Sequence, residues 1–510
     1  MATTTENAVL KVAFHLIAIV AFISNGSAFG QQQSLTEQIM DADETRFAVI
    51  FPKLKEQTEQ VLPILIREIE RKLPSDADDD AKEKLAKRQA NAAVALLKLN
   101  HSEKVWPLLK HSPDPRARSY LIHRMGQLGA DPKILMTRLA VEPDITIRRA
   151  LLLSLGEFDE KAISLESRKE LLPKLQEIYR NDADPGLHAA SEWLLRHWGD
   201  EAWLRQINEE WAENNEQREK RFDHLKSLAT ANAPPQWYVN GEGQTMVVMP
   251  GPVEFVTGHL ATRVVRKHKR RIGRTFALSA KLVTLQEYGS LVDDRSLPEI
   301  NDQNADLPVV KRSWYGAAKY CNWLSEEEGI PKDQWCFEAT DDGIDMKANY
   351  LSLTGYRLPT LSEIEYATRA GSMTGRFYGT TDDLLPEYAW YKGNSQGRTQ
   401  PVGRLKPNDL GLFDVHGNAY TWCQGMLGSI PQNKNNETVE DQGDDLVAIE
   451  KDRGMLRGGS FEDEPKDINS DLIFCDQRTS RESGFGLRLA RTIKPAPTTP
   501  KDGKAENTGK

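Results

Sequence analysis

The chain has 510 residues, 28% of them charged and 39% hydrophobic, with a formal net charge of −9 and a pI near 5.7. That length accommodates two or three domains, each with its own core, and the composition is that of a soluble globular protein. The acidic balance excludes the electrostatic footprint of a nucleic-acid partner.

After Lys11 an apolar run, Val12 to Ile23, has the length of a signal-peptide core and falls short of the roughly 20 residues of a membrane span. Ala28 and Gly30 supply small residues for a cleavage site. Residues 1–30 are therefore read as a signal peptide and the protein as exported, periplasmic or cell-surface. Glu6 and His15 suit a signal peptide poorly, and an uncleaved anchor is the alternative. Membrane attachment is expected only in that case.

Only seven of the 35 glycines precede Trp237. Glycine costs a helix about 1 kcal/mol against alanine, whereas turn-rich folds exploit its positive φ angles. A helical first half and a loop-rich second half follow. The segments RQANAAVALLKLN, SYLIHRMGQLG, IRRALLLSLGEF and HAASEWLLRHWG carry apolar residues at i, i+3, i+4 spacings. Asp114, Asp144 and Asp184 stand where a carboxylate caps a helix start, and Gly129, Gly156 and Gly199 where helices stop. Starts 30 and then 40 residues apart predict HEAT-like helical repeats over 34–205, serving as a protein-binding surface or as a plain spacer bundle. A charged linking helix is expected over 206–235 and a disordered tail over 494–510.

From Gln236 onward, short strands alternate with long connections. Met246–Gly258 reads as two strands about a Pro-Gly turn, and Thr275–Val292 as a strand leading into a helix. Ser313–Gly329 and Tyr356–Gly371 read as amphipathic helices, the second capped by Thr360 or Ser362 with Glu363 in its first turn. The basic run Arg263–Arg271 is a solvated strand face rather than a phosphate site, and the acidic stretch Glu437–Asp452 a solvated insertion. Cys321, Cys336, Cys423 and Cys475 form no zinc spacing, and their pairing is open among three connectivities.

The ordered segments MVVMPG, SWYGAAKYCNWLS, GYRLPTLSEIEYATRAG, GLFDVHGNAYTWC, LRGGSF and GFGLRLAR resemble the formylglycine-generating enzyme (sulfatase-modifying factor) family. The resemblance implies an α+β, C-type-lectin-like domain over 236–493 with little regular secondary structure. Together with the helical, HEAT-like N-terminal region read from the periodicity, the expected fold class is multidomain. Trp323, Trp422, Arg357, Arg457 and Arg488 are expected to hold that scaffold.

Enzymes of this family bind copper(I) through two cysteines after the GGS motif. Soft thiolates suit that soft ion. Carried onto Gly458-Gly459-Ser460, those positions hold Asp463 and Ile468, so copper is not expected. Ser460 and Asp463 remain as cleft candidates. The family's calcium loop falls on Asp414, Gly417, Ala419 and Thr421, the last where a glutamate is expected. Weak calcium binding and a turn in which Asp414 accepts backbone hydrogen bonds both stay open. The leading expectation is a non-catalytic module that binds a protein or glycan-bearing partner. The alternative is an active formylglycine-generating oxidase, or a related metal- or oxygen-dependent enzyme acting on a protein cysteine such as that of a sulfatase.

Overall fold

The computed structural model describes residues 35–228, 233–258, 268–291, 297–340, 343–429, 438–442 and 447–495. The signal-peptide segment, most of the tail, and parts of the basic run, the acidic stretch and the linker lie outside the described residues. The chain packs as two compact units, the first reaching Leu165 and the second running from Glu166 and including Ser112–Pro115. No described helix is long and apolar enough to cross a membrane.

The first unit is helical. After a helical stretch over 35–40, its helices include α1 (Glu44–Lys55), α2 (Thr58–Glu70), α3 (Asp79–Lys98), α4 (Arg116–Gln127), α5 (Pro132–Val141) and α6 (Ile145–Leu155). The run of alanine and leucine in α3 is buried on nearly every side, which lets neighbouring backbones approach closely. Two polar residues on α3 fix that packing. Arg88 bonds Glu37, Asp41 and Glu68, and Asn91 reaches the carbonyls of Ile39, Met40 and Ala42. Asp144 caps α6 through the amides of Thr146 and Ile147. Sequence periodicity had not singled out α5, which Asp131 caps in the same way.

The second unit begins with four more helices, α7 (Leu165–Asn181), α8 (Pro185–His197), α9 (Glu201–Glu213) and α10 (Asn215–Leu228). The single linking helix expected over 206–235 is instead a pair broken at Asn214, whose side chain accepts the amide of Gln217. Nor is this segment merely exposed. Leu225 is buried, Phe222 packs on Tyr238, and the Arg221 guanidinium lies 3.5 Å from the ring centre of Trp237.

The α+β part carries four small sheets. One has five strands in the order β1 (Gln236–Val239), β2 (Thr245–Met249), β5 (Phe276–Ser279), β14 (Ala490–Thr492), β8 (Tyr356–Arg357). A second has the order β12 (Ile473–Gln477), β11 (Val447–Arg457), β9 (Tyr420–Ser429), β13 (Phe485–Gly486). A third joins β3 (Val253–Thr257), β4 (His268–Ile272) and β10 (Val439–Glu440), and β6 (Phe337–Thr340) pairs with β7 (Gly343–Met346). The two strands expected over 246–258 exist but serve different sheets. Helices α11 (Leu285–Gly289), α12 (Trp314–Glu327) and α13 (Leu361–Arg369) complete the domain. Thr360 and Glu363 form a reciprocal capping box on α13, and Ser313 caps α12.

A continuous core joins α12 to both larger sheets through residues such as Tyr320, Leu324, Trp422, Leu456 and Leu489. The scaffold arginines act as anticipated. Arg488, fully buried, donates to the carbonyls of Ser279 and Phe413, and the Trp422 indole donates to the carbonyl of Arg312.

Helix α8 docks on this domain. The Trp237 ring stacks on His188 at 3.7 Å and donates to the carbonyl of Asp182. Burial lowers the His188 pKa to about 3, so the ring stays neutral. Glu192, also fully buried, binds Lys281 and Arg196; burial would raise its pKa, but these two cations hold it down to about 2. Gly411 fixes the approach of the same helix. Its φ is +80°, and a Cβ there would lie 2.3 Å from the carbonyl oxygen of Pro185. Gly411→Ala should therefore lower stability by more than about 2 kcal/mol, read as a fall in thermal midpoint.

Candidate functional site

The GGS motif ends β11. Gly458 accepts the amide of Gly417, and Gly459 holds φ at +80° with the Ile468 side chain packed beneath it. Ser460 then opens a tight turn. The Asp463 carboxylate accepts both the Ser460 amide at 2.6 Å and its hydroxyl at 2.9 Å. Charge-assisted bonds of this kind are short and hold the loop in one geometry.

The loop beyond is clamped by guanidinium groups. Arg376 donates to the carbonyls of Pro465 and Ile468, and Arg457 to that of Ser470. The amide of Lys392 donates to the Asp463 carbonyl and the hydroxyl of Ser395 to that of Phe461. The structure brings the two cleft candidates, Ser460 and Asp463, into one turn, while Arg376, which clamps the loop, is marked by no local sequence pattern.

Beside this loop lies an aromatic surface. Tyr420 stacks on Phe474 at 5.4 Å, and both rings meet Phe485. Phe474 is 41% exposed, while Phe485 is buried. Burial, then the neighbouring carboxylates of Asp463 and Asp467, push the Tyr420 hydroxyl pKa up. None of this surface was singled out from sequence.

The residues at the two copper positions do not fit copper(I). Asp463 offers hard oxygen, one atom of which is already doubly hydrogen-bonded, and Ile468 is fully buried and apolar. All four cysteines are free. Cys321 and Cys336 are buried in the core around α12. Cys423 and Cys475 lie in register on either side of Met455, two strands apart, which separates their Cα atoms by about 10 Å, beyond the reach of a disulfide. Burial raises the Cys423 pKa to about 12, so this thiol stays protonated at neutral pH.

The calcium candidates form a turn. Asp414, with φ +50°, accepts the Gly403 amide on one carboxylate oxygen and the Asn418 side-chain amide on the other. Gly417 donates to Gly458, and Ala419 and Thr421 are buried. With N–H donors on both oxygens, the Asp414 carboxylate serves the turn.

The fold and site thus define an α+β domain built around a GGS turn whose arginines and tryptophans are scaffold. The family description "Sulfatase-modifying factor enzyme 1-like domain" matches residues 230–493, and the chain belongs to this family. It is 32% identical over 144 residues to the chaperone protein LppX of Paenibacillus barcinonensis, covering 23% of this chain and 51% of that protein. It is 30% identical over 167 residues to the formylglycine-generating enzyme of Streptomyces coelicolor, covering 30% of this chain and 42% of that enzyme. The chain thus spans about half or less of the length of these curated relatives. Among solved structures, Treponema denticola variable protein 1 aligns with a TM-score of 0.43 and 22% identity, over 50% of this chain and 98% of the other.

Proposed function

We propose that this sulfatase-modifying-factor-like protein is exported and acts as a non-catalytic binding module for a peptide or glycan-bearing partner. The observation that carries the reading is the loop after GGS. Asp463 is turned inward onto Ser460 and Ile468 is buried, where the resemblance would place two thiols. A carboxylate and a hydrocarbon supply neither a soft-metal site nor a redox pair. The surrounding loop stays pinned by Arg376 and Arg457, so the surface is ordered for recognition even without that chemistry. Similarity to a protein named as a chaperone accords with a binding role, although the match covers only part of each chain.

The test uses the purified full chain. Incubated with copper(I), oxygen and a peptide carrying the CxPxR pattern, it should leave the cysteine unchanged, as judged by mass spectrometry of the peptide. Formation of formylglycine would overturn the reading. A second test addresses export: in a periplasmic or cell-surface extract the mature protein should begin near residue 31, and recovery solely from the cytosol would remove that part of the proposal.

A further inference from the structure

The helical first unit carries a groove between two short helical turns, Ser102–Lys104 and Trp106–Leu109, and the outer face of α5. Its volume is about 300 Å³, at the lower end of the range for ligand sites. Trp106 and Ile134 give it apolar walls, and it is open enough that Val141, also in its lining, stays 70% exposed. Leu135 and Leu139, on the other face of α5, are buried in the core and hold the helix in place.

The polar groups left over in this lining are donors. Trp106 is 3% exposed, and its indole N–H, closed to water, has no acceptor among the described residues. A donor buried in that state is costly until an acceptor reaches it. The ammonium of Lys133 and the hydroxyl of Ser102 also have no partner among the described residues. Arg138, by contrast, is already paired, with Glu142 at 2.6 Å and with Glu103 at 3.5 Å. Lys133 stands in the first turn of α5, where the helix dipole is positive and a cation is unfavourable. No acidic residue shares that turn, and the cap Asp131 is engaged by the Lys133 backbone amide. A carboxylate brought from outside would relieve all three donors at once.

The walls require hydrocarbon beside that charge. A chain end supplies both from one carbon, because the C-terminal residue bears its carboxylate and its side chain on the same Cα. Within an extended segment an aspartate or glutamate points away from its immediate apolar neighbours, so it matches the groove less well.

We infer that this groove binds the C-terminal carboxylate of a partner polypeptide whose last residue is aliphatic. The carboxylate meets Lys133, Ser102 and the Trp106 N–H, and the side chain lies on Ile134 and Val141. The site is separate from the GGS loop and does not rest on the reading of that loop.

The test is fluorescence anisotropy with the full chain and N-terminally labelled Gly-Ser-Gly-Val-Leu, prepared as the free acid and as the amide. The acid should bind about fivefold more tightly than the amide, and the difference should shrink with added salt. Lys133→Gln should bring the two within about twofold. Val141→Ser should weaken the acid about threefold through lost apolar contact, and Trp106→Phe, which keeps a ring but removes the N–H, by a similar factor. Lys133 and Val141 are exposed, so an unaltered thermal midpoint is expected of both variants and confirms folding. Equal binding of acid and amide overturns the inference, as does a preference that survives Lys133→Gln or an affinity unchanged in Val141→Ser or Trp106→Phe. Two further probes fix the source of the carboxylate. Gly-Ser-Gly-Asp-Leu amide binding as tightly as the free acid would make the ligand an acidic side chain, and isocaproate competing at the peptide's own affinity would make it a small molecule. Either result overturns the assignment to a chain end, and weaker binding of both supports it.

Discussion

A chain cut to begin at residue 230, where the family match starts, will fail to yield a soluble monomer, whereas one beginning at residue 164 will fold. Apart from Ser112–Pro115, the second compact unit starts at Glu166, so the four helices before the α+β domain belong to it physically. Removing them uncovers Trp237, now 1% exposed, and strips away its stacking partner His188, the covering Arg221 and the acceptor carbonyl of Asp182. Re-exposing an indole of roughly 200 Å² forfeits about 5 kcal/mol, an appreciable share of a typical domain's stability. Lys281 also loses the buried Glu192, and Arg404 loses Glu201. Size-exclusion chromatography and thermal melts of the two truncated chains decide the matter. A monodisperse, cooperatively melting chain from residue 230 would show that the helices merely rest on the domain.

The boundary at Glu166 was not legible in the sequence, and the reason is instructive. Helices α6 and α8 share an aspartate cap and an apolar stripe, so periodicity reads them as successive repeats. What separates them is their partner, and Trp237 is remote in sequence from His188. Local signals fared better. The capping box at Thr360 and Glu363, the serine cap of α12 and the buried roles of Arg357, Arg488 and Trp422 all follow from short-range patterns or from the resemblance. The turn of Asp463 onto Ser460 spans only three residues, and it too lay within reach of such reasoning. The pairing of Tyr420 with Phe474 depends on the order of strands in a sheet, which no single segment encodes.

Glu363→Ala will be among the most damaging single substitutions in the chain. Glu363 is fully buried and accepts from Arg357 at 2.7 and 2.6 Å and from Arg274 at 2.7 Å, while also closing the cap of α13 through the Thr360 amide. Arg274 keeps Asp441 as a partner, but Arg357, itself without solvent exposure, would be left with no ion-pair carboxylate. Leaving a buried charge uncompensated costs about 3–5 kcal/mol. An unfolding free energy from urea titration lowered by less than about 1 kcal/mol would contradict this account. The converse variant is a control: Arg357→Met with Glu363→Leu removes both charges and should recover much of the loss, because burying an ion pair already costs most of what the pairing returns. The network also sets an acid limit. Burial would raise the Glu363 pKa, yet Arg274 and Arg357 hold it down to about 2, below its ordinary value of 4.5. A carboxyl with a depressed folded pKa binds fewer protons when folded than when unfolded. Its contribution is therefore complete above about pH 4.5 and fades as the pH falls toward 2. Stability measured across that window should decline less steeply in the Arg357→Met, Glu363→Leu variant than in the native chain, and equal slopes would show that other carboxylates govern acid unfolding.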